Sequence, residues 1–167
     1  MSSGSADGLS KRTPKTRLIV NIANAFYGCI NMIAINKPLV SARSTKPDRN
    51  VLGGELVECS RDPVTGFFRD GCCRTNREDV GVHTVCCVMT EDFLIFTVEA
   101  GNDLVTPHPE WEFPGLVVGD RWCLCAARWL EAAEAGHAPP AVLEATHEKS
   151  LDIIPLEMLK QHAADPS

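Results

Sequence analysis

The sequence predicts an α+β domain, a small two-layer sandwich of short strands and helices joined by long Pro/Gly-rich loops. Three observations predict it. A chain of 167 residues that is 44% apolar and 23% charged is long enough for one domain with a core of its own. Short apolar runs with strand alternation are interleaved with two or three short helical runs. Turn-forming residues interrupt them so often that regular βαβ units find no room.

The first 48 residues read as an appendage. Met1 to Ser10 is rich in Ser and Gly, Lys11 to Arg17 is basic, and Leu18 to Ile35 is apolar but broken by Asn21, Asn24 and Asn31. Those amides make Leu18 to Ile35 a poor transmembrane helix, so stable membrane insertion is not expected. The basic, acid-poor character fits either a disordered extension or an organellar, mitochondrial targeting segment. Through Arg49 there are eight Lys/Arg against two acids, whereas from Asn50 onward eight Lys/Arg face twenty Asp/Glu. So acidic a body repels a phosphate backbone, and no nucleic-acid partner is expected. Without a clear secretory signal, an intracellular, cytoplasmic location is expected, with the mitochondrion as the alternative.

Lys46 to Arg49 reads as a linker into a single domain over residues 49–164. Asp62-Pro63-Val64-Thr65-Gly66 is a turn signature, and Phe67-Phe68 should return to the core. Gly71 to Gly81 is polar and irregular, which puts the doublet Cys72-Cys73 on a loop. His83 to Met89 reads as a buried strand, with His83, Val85, Cys87 and Met89 on one face and Thr84, Cys86 and Val88 on the other. Thr90-Glu91-Asp92 then opens a helix that Gly101 closes. Three prolines between Thr106 and Gly119 exclude a long regular element and leave a wrapping loop anchored by Trp111 and Phe113. Arg121 to Ala126 fits a strand that puts Cys123 and Cys125 on one face and Trp122 and Leu124 on the other. Trp129 to Ala135 is a helix stopped by Gly136, Ala141 to His147 a strand candidate, and Pro155 opens a last helix through Ala163.

Asn50-Val51-Leu52-Gly53, the run from Asp62 through Gly71-Cys72-Cys73-Arg74-Thr75, His83-Thr84-Val85-Cys86, Pro114-Gly115-Leu116, Gly119-Asp120-Arg121-Trp122-Cys123-Leu124-Cys125-Ala126 and Leu143-Glu144-Ala145-Thr146-His147-Glu148 occur in order. Together they resemble the domain-of-unknown-function family numbered 2237, over about Asn50 to Ala163. The resemblance implies a small two-layer α+β domain of bacteria and some eukaryotes, and it implies no activity, substrate or cofactor. Cys87 stands where similar sequences are expected to carry a small residue such as Ala, which assigns it to packing. The basic extension lies outside the resemblance.

Seven of the eight cysteines lie between Cys59 and Cys125, so any chemistry should sit there. Adjacent cysteines point to opposite sides of an extended chain and bridge each other only with strain, which favours reduced thiols. Three uses of such thiols remain open. A thiol enzyme would use Cys72, Cys73 or Cys123, activated by Arg74, Arg121 or a histidine such as His147, with Asp120 or Glu148 orienting it. A zinc site would draw on Cys72, Cys73, Cys86, Cys123, Cys125, His83 and His147, although no Cys-x-x-Cys is present. A non-enzymatic interaction module would keep the cysteines as inert core. The small-molecule or thiol-dependent reading is the leading expectation, with Cys72-Cys73 as the reactive position. It requires an accessible thiol of low pKa beside a cavity, whereas the module requires only buried ones.

Overall fold

The computed structural model describes residues 47–164. The readings of the basic and apolar segments before Lys46 therefore lie outside the described residues. Among those described, the α+β class is realised economically, by one antiparallel two-stranded ribbon and three α-helices. Strand β1 is His83–Val88, helix α1 Glu91–Glu99, strand β2 Arg121–Cys125, helix α2 Ala126–Ala135 and helix α3 Leu156–Gln161.

The ribbon forms where the alternation predicts it. Cys86 lies opposite Cys123 and Cys87 opposite Trp122, with a register irregularity between His83 and Val85. One face of the ribbon supplies Val85, Cys87, Trp122 and Leu124 to the main core, which Phe93, Trp129, Ala132 and Leu159 fill from the helices. The other face carries Cys86 and Cys123 into a second, smaller cluster with Cys59, Cys73 and Ala145. Side-chain alternation thus divides the cysteines between two environments.

Thr90 caps α1 by accepting a hydrogen bond from the Phe93 N–H, with Glu91 and Asp92 at the positive end of the helix, and the chain leaves α1 through Gly101 at φ +77°. Helix α2 follows β2 without a break, three residues earlier than Trp129, and stops at Gly136 in the left-handed conformation. Its Trp129 is fully buried and donates its indole N–H to the Pro139 carbonyl at 3.0 Å.

Three expectations are corrected. Ala141 to His147 is not a strand. Its ends pair with the free edge of β1, where the Val142 N–H donates to Cys86 O and the His147 N–H to Thr84 O, but Leu143–Ala145 between them turns as a 3-10 helix. The Thr146 hydroxyl holds that turn by donating to Val142 O, so a side chain competes with the ladder. Phe67 and Phe68 do not enter the core either. Both stay half-buried and pack edge to face, Phe67 stacking on the His83 ring and Phe68 lying under the Arg74 guanidinium. The segment read as a linker also joins the fold, for Asp48 O accepts from the Leu56 N–H and Arg49 bridges to Glu55.

Candidate functional site

Cys86 and Cys123 are cross-strand neighbours whose backbones face away from each other. The Cys86 N–H donates to Thr146 Oγ1 at 3.2 Å, the Cys123 N–H donates to Thr65 Oγ1 at 2.8 Å, and Cys86 O accepts from Val142. Such a non-hydrogen-bonded pair is the kind that brings side chains closest in an antiparallel ribbon. Both sulfurs therefore project from one small patch of the face opposite the main core.

The loops before β1 deliver two more sulfurs to that patch. The N–H groups of Cys59 and Ser60 both donate to Gly71 O, and the Gly71 N–H donates to Thr65 O, which folds residues 59–71 into a closed loop with Thr65 fully buried. Gly66 makes the loop possible, because at φ +90° any Cβ would overlap the Cys72 carbonyl. Cys59 is bonded to Cys86 and Cys73 to Cys123, with Cα separations of 5.8 and 5.3 Å. The sulfurs of Cys59, Cys73 and Cys86 lie within 4.8 Å of one another, and Cys123 joins them through its bond to Cys73. All four cysteines are buried.

The expectation of reduced thiols is therefore overturned. It rested on the strain of bridging adjacent cysteines, but each doublet splits instead. Cys73 and Cys86 enter the disulfide cluster while their neighbours Cys72 and Cys87 stay free. Cys125 is disulfide-bonded as well, so it does not share one space with Cys123 as a pair of free thiols.

Neither free thiol has the environment of a nucleophile. Cys87 is wholly buried in the main core, and burial pushes its thiol well above the ordinary value. Cys72 is half-buried, and its pKa is raised first by that burial and then by the Glu58 and Asp48 carboxylates, with Arg61 opposing them. The doublet expected to be reactive thus has one member locked and one deactivated.

The histidines are engaged elsewhere. His83 Nδ1 donates to Asp79 Oδ1 at 2.6 Å, while Asp79 Oδ2 accepts from the His83 N–H and the Thr75 hydroxyl. Burial works to raise the Asp79 pKa, but these hydrogen bonds and the histidine charge outweigh it and hold the carboxyl below its ordinary range. His147 Nδ1 accepts from the Lys149 N–H, which caps the 3-10 turn Glu148–Asp152, and its Nε2 lies 3.5 Å from Asp48 Oδ1. Among the described residues, neither ring belongs to a group of three or more metal-binding atoms. Only the cysteine cluster does.

Arg74 pairs with Asp70, and its buried Nε, 4.0 Å from Asp48, makes no hydrogen bond. Asp120 accepts from the Val117 N–H and closes the turn before β2, Arg121 opens that strand half-buried, and the Glu148 side chain is exposed. Cys59 was missing from the candidate set. Its signal was available, since it stands just before the turn that folds the chain back toward Cys72-Cys73.

Among the described residues, two of the surface concavities are lined by no cysteine. One, about 580 Å³, lies between the Asp62-Pro63 turn and the wrapping loop. The other, about 660 Å³, lies along α1 and is lined by Leu94, Ile95, Val98, Val105, Val117 and Val118, with Glu91, Glu99 and Asp103 at its edge. No described helix is long and apolar enough to cross a membrane.

The family of "Uncharacterized protein conserved in bacteria (DUF2237)" matches residues 49–163. The chain belongs to this family. No curated protein matches it. As a DUF2237 member it carries the four-sulfur cluster wholly inside the matched segment, between Cys59 and Cys123.

Proposed function

We propose that this domain has a thiol-dependent, redox-responsive role, in which the pairs Cys59–Cys86 and Cys73–Cys123 are the working groups. The observation that carries this reading is the convergence of four buried sulfurs from two loops and both strands onto one patch. A dithiol reductant would open each pair by thiol–disulfide exchange. Two electrons and two protons pass to the pair, and the reductant leaves as its own disulfide. Opening the pairs releases residues 59–73 from the ribbon and leaves the helical core intact, so the redox state is converted into loop conformation. An intracellular compartment, whose thiol pools exchange with such pairs, suits this role.

The test is acid-quenched differential alkylation with peptide mapping. Protein exposed to an oxidant should yield Cys59–Cys86 and Cys73–Cys123 linked peptides. Protein exposed to a dithiol should yield Cys59, Cys73, Cys86 and Cys123 each alkylated and faster proteolysis within residues 60–82. Alkylation of Cys59, Cys73, Cys86 and Cys123 in both states, or unchanged proteolysis, would overturn the reading.

The groove along α1 favours a second reading, an interaction module. Ile95, Val98, Val105, Val117 and Val118 are exposed together in one apolar patch with an acidic edge. Charge complementarity selects an amphipathic helical segment with an apolar ridge and Lys/Arg flanks. A model helix with Leu and Lys faces should bind the full chain, and a Leu/Glu helix should not. Ile95→Asp should abolish binding. Equal binding of both helices, binding of neither, or self-association of the chain through this face would each overturn this reading.

A further inference from the structure

The same cluster has the composition and compactness of a metal site, and this inference rests on its pairs being openable. Tetrahedral zinc bound by four thiolates at about 2.3 Å places neighbouring sulfurs about 3.8 Å apart. Within each pair the sulfurs are now covalently bonded, and the Cys73 sulfur of one pair lies within 4.8 Å of both sulfurs of the other. Reaching the tetrahedron requires the bonded sulfurs to separate and the pairs to draw together, by side-chain rotation on the ribbon and by movement of the loop that carries Cys59 and Cys73. Two ligands, Cys86 and Cys123, are held by a cross-strand pair whose N–H groups are already satisfied by Thr146 and Thr65. The other two, Cys59 and Cys73, come from the loop those disulfides anchor.

We infer that in the reduced state Cys59, Cys73, Cys86 and Cys123 bind one Zn²⁺, so that disulfides and zinc are alternative clasps on the same loop. The ledger closes in two steps. A dithiol reductant supplies four electrons and four protons to the two disulfides, giving four thiols and two equivalents of its own disulfide. Zinc then replaces the four thiol protons, giving a four-thiolate complex of charge −2 and four released protons. Oxidation runs both steps backwards and ejects the metal. The four cysteines are at most 4% exposed, so the site is closed, as structural zinc sites are, and has no open position for substrate.

The experiment uses the full chain, reduced and kept anaerobic, titrated with Co²⁺ and then Zn²⁺. One equivalent of Co²⁺ should give intense sulfur-to-metal charge-transfer absorption with the visible bands of tetrahedral cobalt. One equivalent of Zn²⁺ should displace it, and metal loading should protect four cysteines from alkylation. Cys59→Ser and Cys123→Ser should each lose the stoichiometric complex, while Cys72→Ser and Cys87→Ala should keep it. Because a ligand variant can fail by unfolding, oxidation of the loaded wild-type chain supplies a second readout. It should release one equivalent of zinc per two disulfides formed. A chain whose four cysteines are reduced, yet which takes up no metal or loads equally well as Cys59→Ser, overturns the zinc inference and leaves the redox reading standing. A chain in which the disulfides never form overturns the redox reading and not the metal site.

Discussion

At the residue scale, the Asp79–His83 pair shows how a polar cluster can be structural. The Asp79 carboxylate is fully buried, and its oxygens accept hydrogen bonds from the His83 ring, the His83 N–H and the Thr75 hydroxyl. These partners outweigh burial, so its folded pKa is depressed. A depressed carboxyl contributes stability that is fully present above the unfolded value, about 3.9, and is lost as pH falls through the lower folded value. Asp79→Asn should therefore cost about 1–3 kcal/mol at neutral pH, the range for charged hydrogen bonds, and the cost should shrink below about pH 4. Urea unfolding of both proteins at pH 7 and pH 3 measures it. A cost that stays the same at both pH values would show that it does not come from the Asp79 charge, and no cost at either would show that the amide replaces the carboxylate fully. Cys72 makes the opposite case. Burial and two carboxylates raise its pKa, so its alkylation should be slow at pH 7 and accelerate into the alkaline range, where a nucleophile would already be saturated.

At the element scale, the helices are held by few but well-placed groups. Trp129 on α2 is fully buried against the ribbon and hydrogen-bonded to Pro139. Trp129→Ala should cost about 3–5 kcal/mol, through a cavity and an orphaned carbonyl. Thr90→Ala, which removes only the α1 cap, should cost about 1 kcal/mol. Thermal unfolding of the two variants separates a core anchor from a cap, and a larger loss for Thr90→Ala would contradict the packing described.

These two helices also mark how much of the fold is legible in sequence. Helix α1 carries a polar cap, first-turn acids and a terminal glycine, each a local signal with a local cause. Helix α2 starts at Ala126 directly out of β2 with no side-chain cap, so nothing before Trp129 announces it. Strand β2 follows from alternation alone, and with it the placement of Cys123 opposite Trp122. The segment from Ala141 to His147 misleads because its ends do pair with β1, and only the Thr146 hydroxyl, acting across four residues, turns the middle. The cysteine cluster was legible as a concentration of thiols and not as a set of pairs. Pairing depends on how the glycine-bearing loop from Cys59 to Cys73 folds back, and that loop is shaped by Thr65, Gly66 and Gly71 through contacts with no period. The histidines were drawn into the candidate site by residue type, whereas their rings were already committed to Asp79, and to Asp48 and Lys149.

At the scale of the whole molecule, the disulfides Cys59–Cys86 and Cys73–Cys123 divide the described structure into parts of different dependence. The main core of β1, β2 and the helices excludes the four sulfurs of these two pairs, whereas residues 47–82 contain no α-helix or multi-residue strand and reach the ribbon covalently through Cys59 and Cys73, with Thr65 and Asp79 hydrogen-bonded to it and Val51 in the main core. These two disulfides close loops of 27 and 50 residues. Loop-closure entropy makes each worth about 3.5–4 kcal/mol, with the sum reduced because the loops overlap. That is a large share of the roughly 5–15 kcal/mol that holds a domain together. Reduction in the presence of a chelator should therefore lower the denaturation midpoint strongly while weakening the molecule unevenly. Amide exchange should accelerate between residues 55 and 82, including the Cys59 and Gly71 N–H groups, whereas the amides of Phe96 to Ala100 and of α2 should keep most of their protection. Hydrogen exchange followed by mass spectrometry on the oxidised and the reduced, metal-free chain resolves the two regions. A uniform loss of protection would mean that the sulfur cluster supports the core itself. A loss confined to the loops would leave a stable helical body carrying a segment whose attachment depends on its four sulfurs.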